Sequence, residues 1–85
     1  MDKEVYTIKD YGTIYIDIHT IMEERNISRN ALARALNTRF EVINKWYNGT
    51  VEKIDSDILA RMCYVLECSP EDIIKYHDSN EDKKS

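Results

Sequence analysis

Between Asp17 and Asp72 the chain is cut into short amphipathic pieces by residues that start and stop helices. Asp17, Ser28, Asp55 and Ser69 carry oxygen side chains that can accept from the free amides of a helix's first turn. Asn26, Asn37 and the pair Asn48-Gly49 are the residues that best tolerate the left-handed backbone of a helix stop. This punctuation leaves room only for helices of two or three turns stacked around one core. A first helix from Ile18 puts Ile18, Ile21 and Met22 on one face. A second, from Arg29 to Leu36, turns Leu32, Ala33 and Leu36 inward, with Ile27 and Leu32 placed as a hydrophobic staple. A third, from Phe40 to Tyr47, buries Ile43 and Trp46. A loop over residues 50–54 precedes a fourth helix with a stripe of Ile58, Leu59, Met62, Cys63 and Leu66. Ser69-Pro70-Glu71-Asp72 reads as a capping box with Pro at the first helical position, opening a short fifth helix that buries Ile73, Ile74 and Tyr76.

The ends differ. Val5 to Ile8 and Thr13 to Ile16 are rich in strand formers, and the intervening residues 9–12 suit a turn, so the sequence allows an N-terminal β-hairpin. Two strands alone are marginal and must lean on helices or on a second chain. Residues 77–85 lack apolar side chains and read as a mobile polar tail. The fold class expected is all-α: a compact five-helix bundle occupying residues 1–76.

Eighty-five residues suffice for one domain with a modest core, and leave little room for a catalytic cleft. Hydrophobic residues at 42% are too many for a disordered chain, and two glycines with one proline are too few for a β-sandwich. No apolar run approaches the roughly 20 residues of a membrane span, and the N-terminal stretch has no signal-peptide character. A soluble cytoplasmic protein is expected. Cys63 and Cys68 are too few for a disulfide framework or a four-ligand zinc site and read as small buried apolar residues. His19 and His77 lack neighbours at metal-ligand spacing. No phosphate-binding glycine loop or nucleophile elbow is present, so neither an enzyme nor a cofactor is expected.

Net charge is −4, which taken alone argues against nucleic acid. Its distribution argues the other way. Residues 28–50 carry Arg29, Arg34, Arg39 and Lys45 against Glu41 alone, while both ends are acidic. The positive block coincides with the second and third helices, whose tight junction makes Ser28 to Tyr47 a helix-turn-helix candidate.

The stretch from Ile27 to Gly49, ISRNALARALNTRFEVINKWYNG, resembles the helix-turn-helix of the Cro/cI (XRE-type) regulators. The matching residues are Ser28, Leu32-Ala33, Ile43 and Asn48-Gly49. Downstream, Cys63 and Cys68-Ser69-Pro70-Glu71-Asp72 match the following helices of short family members, so the resemblance covers about residues 14–76. Asn37 stands at the family's glycine turn, Thr38 at an apolar position, and Arg39 where a Ser or Thr cap is usual. The resemblance implies a bundle of the phage-repressor DNA-binding type and sequence-specific binding of double-stranded DNA by a small regulator, most simply a repressor. The third helix would enter the major groove. Arg39 or Lys45 would meet guanine, Asn44 adenine, Glu41 the cytosine amine, and Phe40 a thymine methyl. Arg29 at the start of the second helix would meet phosphate, and Asn48 and Thr50 the backbone on the far side. One such motif reads few base pairs, so a homodimer is expected, with its interface in the N-terminal hairpin or the fifth helix. Tyr6, Tyr11 and Tyr15 cluster near the former. No membrane partner or small-molecule ligand is expected. A second reading keeps the fold but uses it as a protein-interaction module, an antirepressor or adaptor. The acidic ends and the pair Phe40-Glu41 motivate it.

Overall fold

The structure, a computed structural model, describes residues 11–78. The elements in chain order are strand β1 (Thr13–Ile16), helices α1 (His19–Arg25), α2 (Arg29–Leu36), α3 (Phe40–Asn48) and α4 (Ser56–Leu66), a 3-10 turn (Pro70–Asp72), and strand β2 (Ile74–His77). The helices start largely where the capping residues stand. Ser28 Oγ accepts from the Ala31 amide at 3.1 Å, and Asp55 Oδ1 accepts from the Asp57 amide at 2.9 Å. Asp17 Oδ1 accepts at 3.2 Å from the amide of Thr20, the second residue of α1, and the helix starts at His19 with Ile18 as its N-cap rather than at Ile18 as expected.

All four helices end in one motif. Asn26, Asn37, Gly49 and Glu67 adopt left-handed backbone, with φ of 56°, 56°, 71° and 54°. The next residue in each case donates its amide back across the turn: Ile27 to Met22, Thr38 to Ala33, Thr50 to Lys45 and Cys68 to Cys63, at 2.9–3.0 Å. This is the Schellman arrangement, which satisfies carbonyls left free at a helix end and brings the two bracketing side chains together. It reverses the chain within two or three residues, which is how short helices stack into one core.

That core holds Ile16, Ile18, Ile21, Met22, Leu32, Ala33, Leu36, Ile43, Trp46, Ile58, Met62, Leu66 and Ile73. The inward faces expected of the first four helices are therefore observed, with Leu59 and Cys63 half-buried at the edge of their stripe. Arg25 and Arg61 tie helix ends to one another. Arg25 Nε donates to the Leu66 carbonyl at 2.9 Å and Arg61 Nη1 to the Leu36 carbonyl at 2.8 Å.

The expected fifth helix is corrected. Asp72 Oδ2 does accept from the Ser69 amide at 2.9 Å, but only one 3-10 turn follows. The chain then extends as β2, antiparallel to β1, with Ile16 opposite Ile74 and Ile14 opposite Tyr76. The reason is pairing: the backbone of β1 needs a partner, and Ile73 and Ile74 are β-branched residues that fit a strand as well as a helix. Tyr76, expected inside, is 56% exposed. His77, expected in the polar tail, ends β2. The strand expected over Val5–Ile8, together with Tyr6, lies outside the described residues. Within them, the partner of β1 comes from the far end of the chain. No helix among the described residues is long and apolar enough to cross a membrane.

Candidate nucleic-acid interface

Helices α2 and α3 pack against each other across a three-residue turn, Asn37 to Arg39. Small Ala33 is buried on α2, and Thr38 is half-buried at the apolar slot of the Schellman turn. Ile43 and Trp46 anchor α3 in the core, at 0% and 3% exposure. That anchoring sets which residues face outward. Phe40, Glu41, Lys45 and Asn48 are exposed along α3, as is Arg39 at its start. Arg39 supplies no capping bond, and Glu41 is the one acidic residue in the first turn of α3, where the helix dipole favours negative charge.

Arg29 and Asn44 are less free than an outward face implies. Both are half-buried. Arg29 Nη1 donates to Asn44 Oδ1 at 2.6 Å. The same guanidinium stands 4.5 Å from the centre of the Tyr47 ring and 5.7 Å from that of Phe40. Tyr47 in turn meets the edge of His19, whose Nε2 lies 3.2 Å from Glu23. The first residue of α2 is thus locked onto α3 by one hydrogen bond and two ring faces. Sequence reasoning gave Tyr47 no part in this surface. Its signal was the spacing of Phe40, Asn44 and Tyr47, which places them on one helical stripe. A surface groove of about 550 Å³ beside this cluster is lined by His19, Asn26, Ser28, Arg29 and Tyr47.

Thr50 sits apart, beyond the end of α3. Its amide and hydroxyl both donate to the Lys45 carbonyl, at 3.0 and 3.4 Å. Asn48, at the same end, is exposed.

The basic residues divide by what they hold. Arg25, Arg61 and Lys75 donate to backbone carbonyls within the fold, and Arg61 also pairs with Asp57 at 2.7 Å. Among the described residues, none of Arg29, Arg34, Arg39 and Lys45 pairs with a carboxylate. The α2–α3 unit therefore presents net positive charge, four cations against Glu41, on a chain whose net charge is negative. Such a surface attracts polyanions locally despite the overall balance.

No curated protein matches the chain. The sequence profile of the Cro/C1-type HTH DNA-binding domain matches it over residues 17–79, from the turn before α1 to just past β2. That span takes in the locked α2–α3 pair and the elements that support it, and on this ground the chain belongs to the Cro/C1-type family of helix-turn-helix DNA-binding domains.

Proposed function

We propose that the protein is a small transcriptional regulator, a repressor acting in the cytoplasm as a homodimer, that binds duplex DNA sequence-specifically. The observation that carries this reading is the set of four cations on α2 and α3 without carboxylate partners. In this reading α3 lies in the major groove. Arg39 and Lys45 donate to guanine O6 and N7, Glu41 accepts from a cytosine amine, and Phe40 covers a thymine methyl. Asn44 faces adenine while keeping its bond to Arg29, since an amide oxygen has two lone pairs. Arg29 has donors beyond the one given to Asn44. It and the first amides of α2 hold a phosphate at the helix N-terminus. Asn48 touches the backbone on the far side. Thr50 joins it by turning its hydroxyl away from Lys45. Repression would be steric, by occupation of the DNA site.

The test is fluorescence anisotropy with duplexes drawn from DNA flanking the gene, over a salt series. Saturable, site-dependent binding that weakens steeply with salt is expected. The double variant Arg39→Glu, Lys45→Glu should lose at least about tenfold in affinity and relax the preference for guanine at the positions they read. A folded sample that binds no duplex at low salt overturns the reading and reassigns the surface to a protein partner.

A further inference from the structure

The helix-ending motif joins the backbones of two particular residues at each corner: Met22 with Ile27, Ala33 with Thr38, Lys45 with Thr50, and Cys63 with Cys68. At the α4 corner alone, among the described residues, both are thiols. The cysteines are free and half-buried, and they line one surface cavity of about 700 Å³ with Tyr64, Glu67 and Ser69. Their backbones are joined by the 3.0 Å bond from the Cys68 amide to the Cys63 carbonyl. That bond holds the two Cα atoms near the roughly 4.4–6.8 Å that a disulfide spans. Nothing in DNA binding uses this pair, since α3 carries the reading surface and the thiols sit at the far end of α4.

We propose that Cys63 and Cys68 form a dithiol site that a small uncharged disulfide converts reversibly into an intramolecular disulfide. A thiolate of the pair attacks one sulfur of the reagent, forming a mixed disulfide and expelling one thiolate. The second protein thiol loses its proton to water, attacks the protein sulfur of that mixed disulfide and expels the other thiolate. Two S–H bonds are lost, one S–S bond forms in the protein, and the reagent's S–S bond is reduced to two thiols. Closure is fast because the corner's backbone bond holds the second cysteine beside the first. Burial, the neighbouring Cys63 and the Asp72 carboxylate hold the Cys68 thiol above its ordinary range, so the reaction speeds up as pH rises. Arg25, bonded to the Leu66 and Glu67 carbonyls, opposes that rise, but the carboxylates of Asp72 and of Glu67 on the cavity wall outnumber it and disfavour anionic reagents.

The experiment treats the reduced full-length chain with hydroxyethyl disulfide and reads intact mass, then the tryptic fragment from Met62 to Lys75. The expected product lacks two hydrogens on that fragment, carries no adduct, has no alkylatable thiol, and returns to the start with reductant. Glutathione disulfide, which is anionic, should act at least roughly threefold more slowly. Cys63→Ser and Cys68→Ser, each checked for folding by circular dichroism, should both stop at a single lasting mixed disulfide. Two lasting adducts on the native chain, covalent dimers, or no reaction under excess reagent overturns the proposal. Equal or faster reaction with glutathione disulfide overturns the assignment of reagent class.

Discussion

Glu67 holds a left-handed backbone, φ 54°, where the other three corners use Asn or Gly. A side chain with a Cβ costs about 1 kcal/mol there. The carboxylate also sits at the negative end of the α4 dipole. Arg25 offsets part of this through its bonds to the Leu66 and Glu67 carbonyls, at 2.9 and 3.2 Å. These bonds use backbone oxygens, so they survive substitution. Glu67→Gly is therefore expected to raise stability by about 0.5–1 kcal/mol, read as a higher urea midpoint at unchanged slope. Gly12 is the opposite case. Its amide donates to the Tyr76 hydroxyl at 2.8 Å, and a Cβ there would overlap the His77 carbonyl. Gly12→Ala should cost about 1–3 kcal/mol and speed amide exchange in β1 and β2, while the helices keep their protection. Unchanged exchange in the strands would mean that the close approach is easily relieved.

At the level of elements, α3 combines a poor start with a deep anchor. Arg39 at its N-cap gives no side-chain bond, whereas Ser28 and Asp55 do so for α2 and α4. The helix holds because Ile43 and Trp46 are buried, since tertiary packing outweighs a missing cap. On the function proposed above, stability and DNA affinity compete at residue 39. Arg39→Ser should add about 0.5–1 kcal/mol to stability by capping α3. The same change should weaken duplex binding and relax the preference for guanine at one position. Thermal unfolding and anisotropy on the same variant separate the two effects. A loss of stability would show that Arg39 makes a contact within the fold.

For the whole molecule, a net charge of −4 and a positive α2–α3 surface coexist because the acids lie mainly outside residues 28–50. A pI of about 5.1 therefore says little about what that surface binds. One α3 spans only a few base pairs, so the dimer proposed for this protein should place two copies about 34 Å apart on one face of the duplex. Footprinting should show two protected half-sites one helical turn apart, with a two-to-one stoichiometry by sedimentation. A single protected half-site with one chain bound would leave the protein a monomeric DNA binder. Ile14, Tyr15 and Tyr76 are at least half exposed on the two-stranded sheet, and Tyr11 just before it is also exposed.

The helices, and their stops at Asn26, Asn37 and Gly49, were legible because their causes are local, whereas the stop at Glu67 carried no such signal. A Ser or Asp that caps, an Asn or Gly that turns left-handed, and an apolar side chain every third or fourth residue act within one turn of backbone. The helix-turn-helix and the outward positions of Arg39, Phe40, Glu41 and Lys45 follow from the same spacing. What came after Asp72 was not legible in this way. Ile74 to His77 can be helix or strand by local preference, and its strand form depends on Thr13–Ile16, which lies some sixty residues earlier. The lock on Arg29 was equally hidden, because its partners Asn44 and Tyr47 belong to another helix and meet it only once Ile43 and Trp46 have fixed the rotation of α3. Local sequence determined where the chain turns, and tertiary packing decided which distant backbone and which distant side chain each segment would meet.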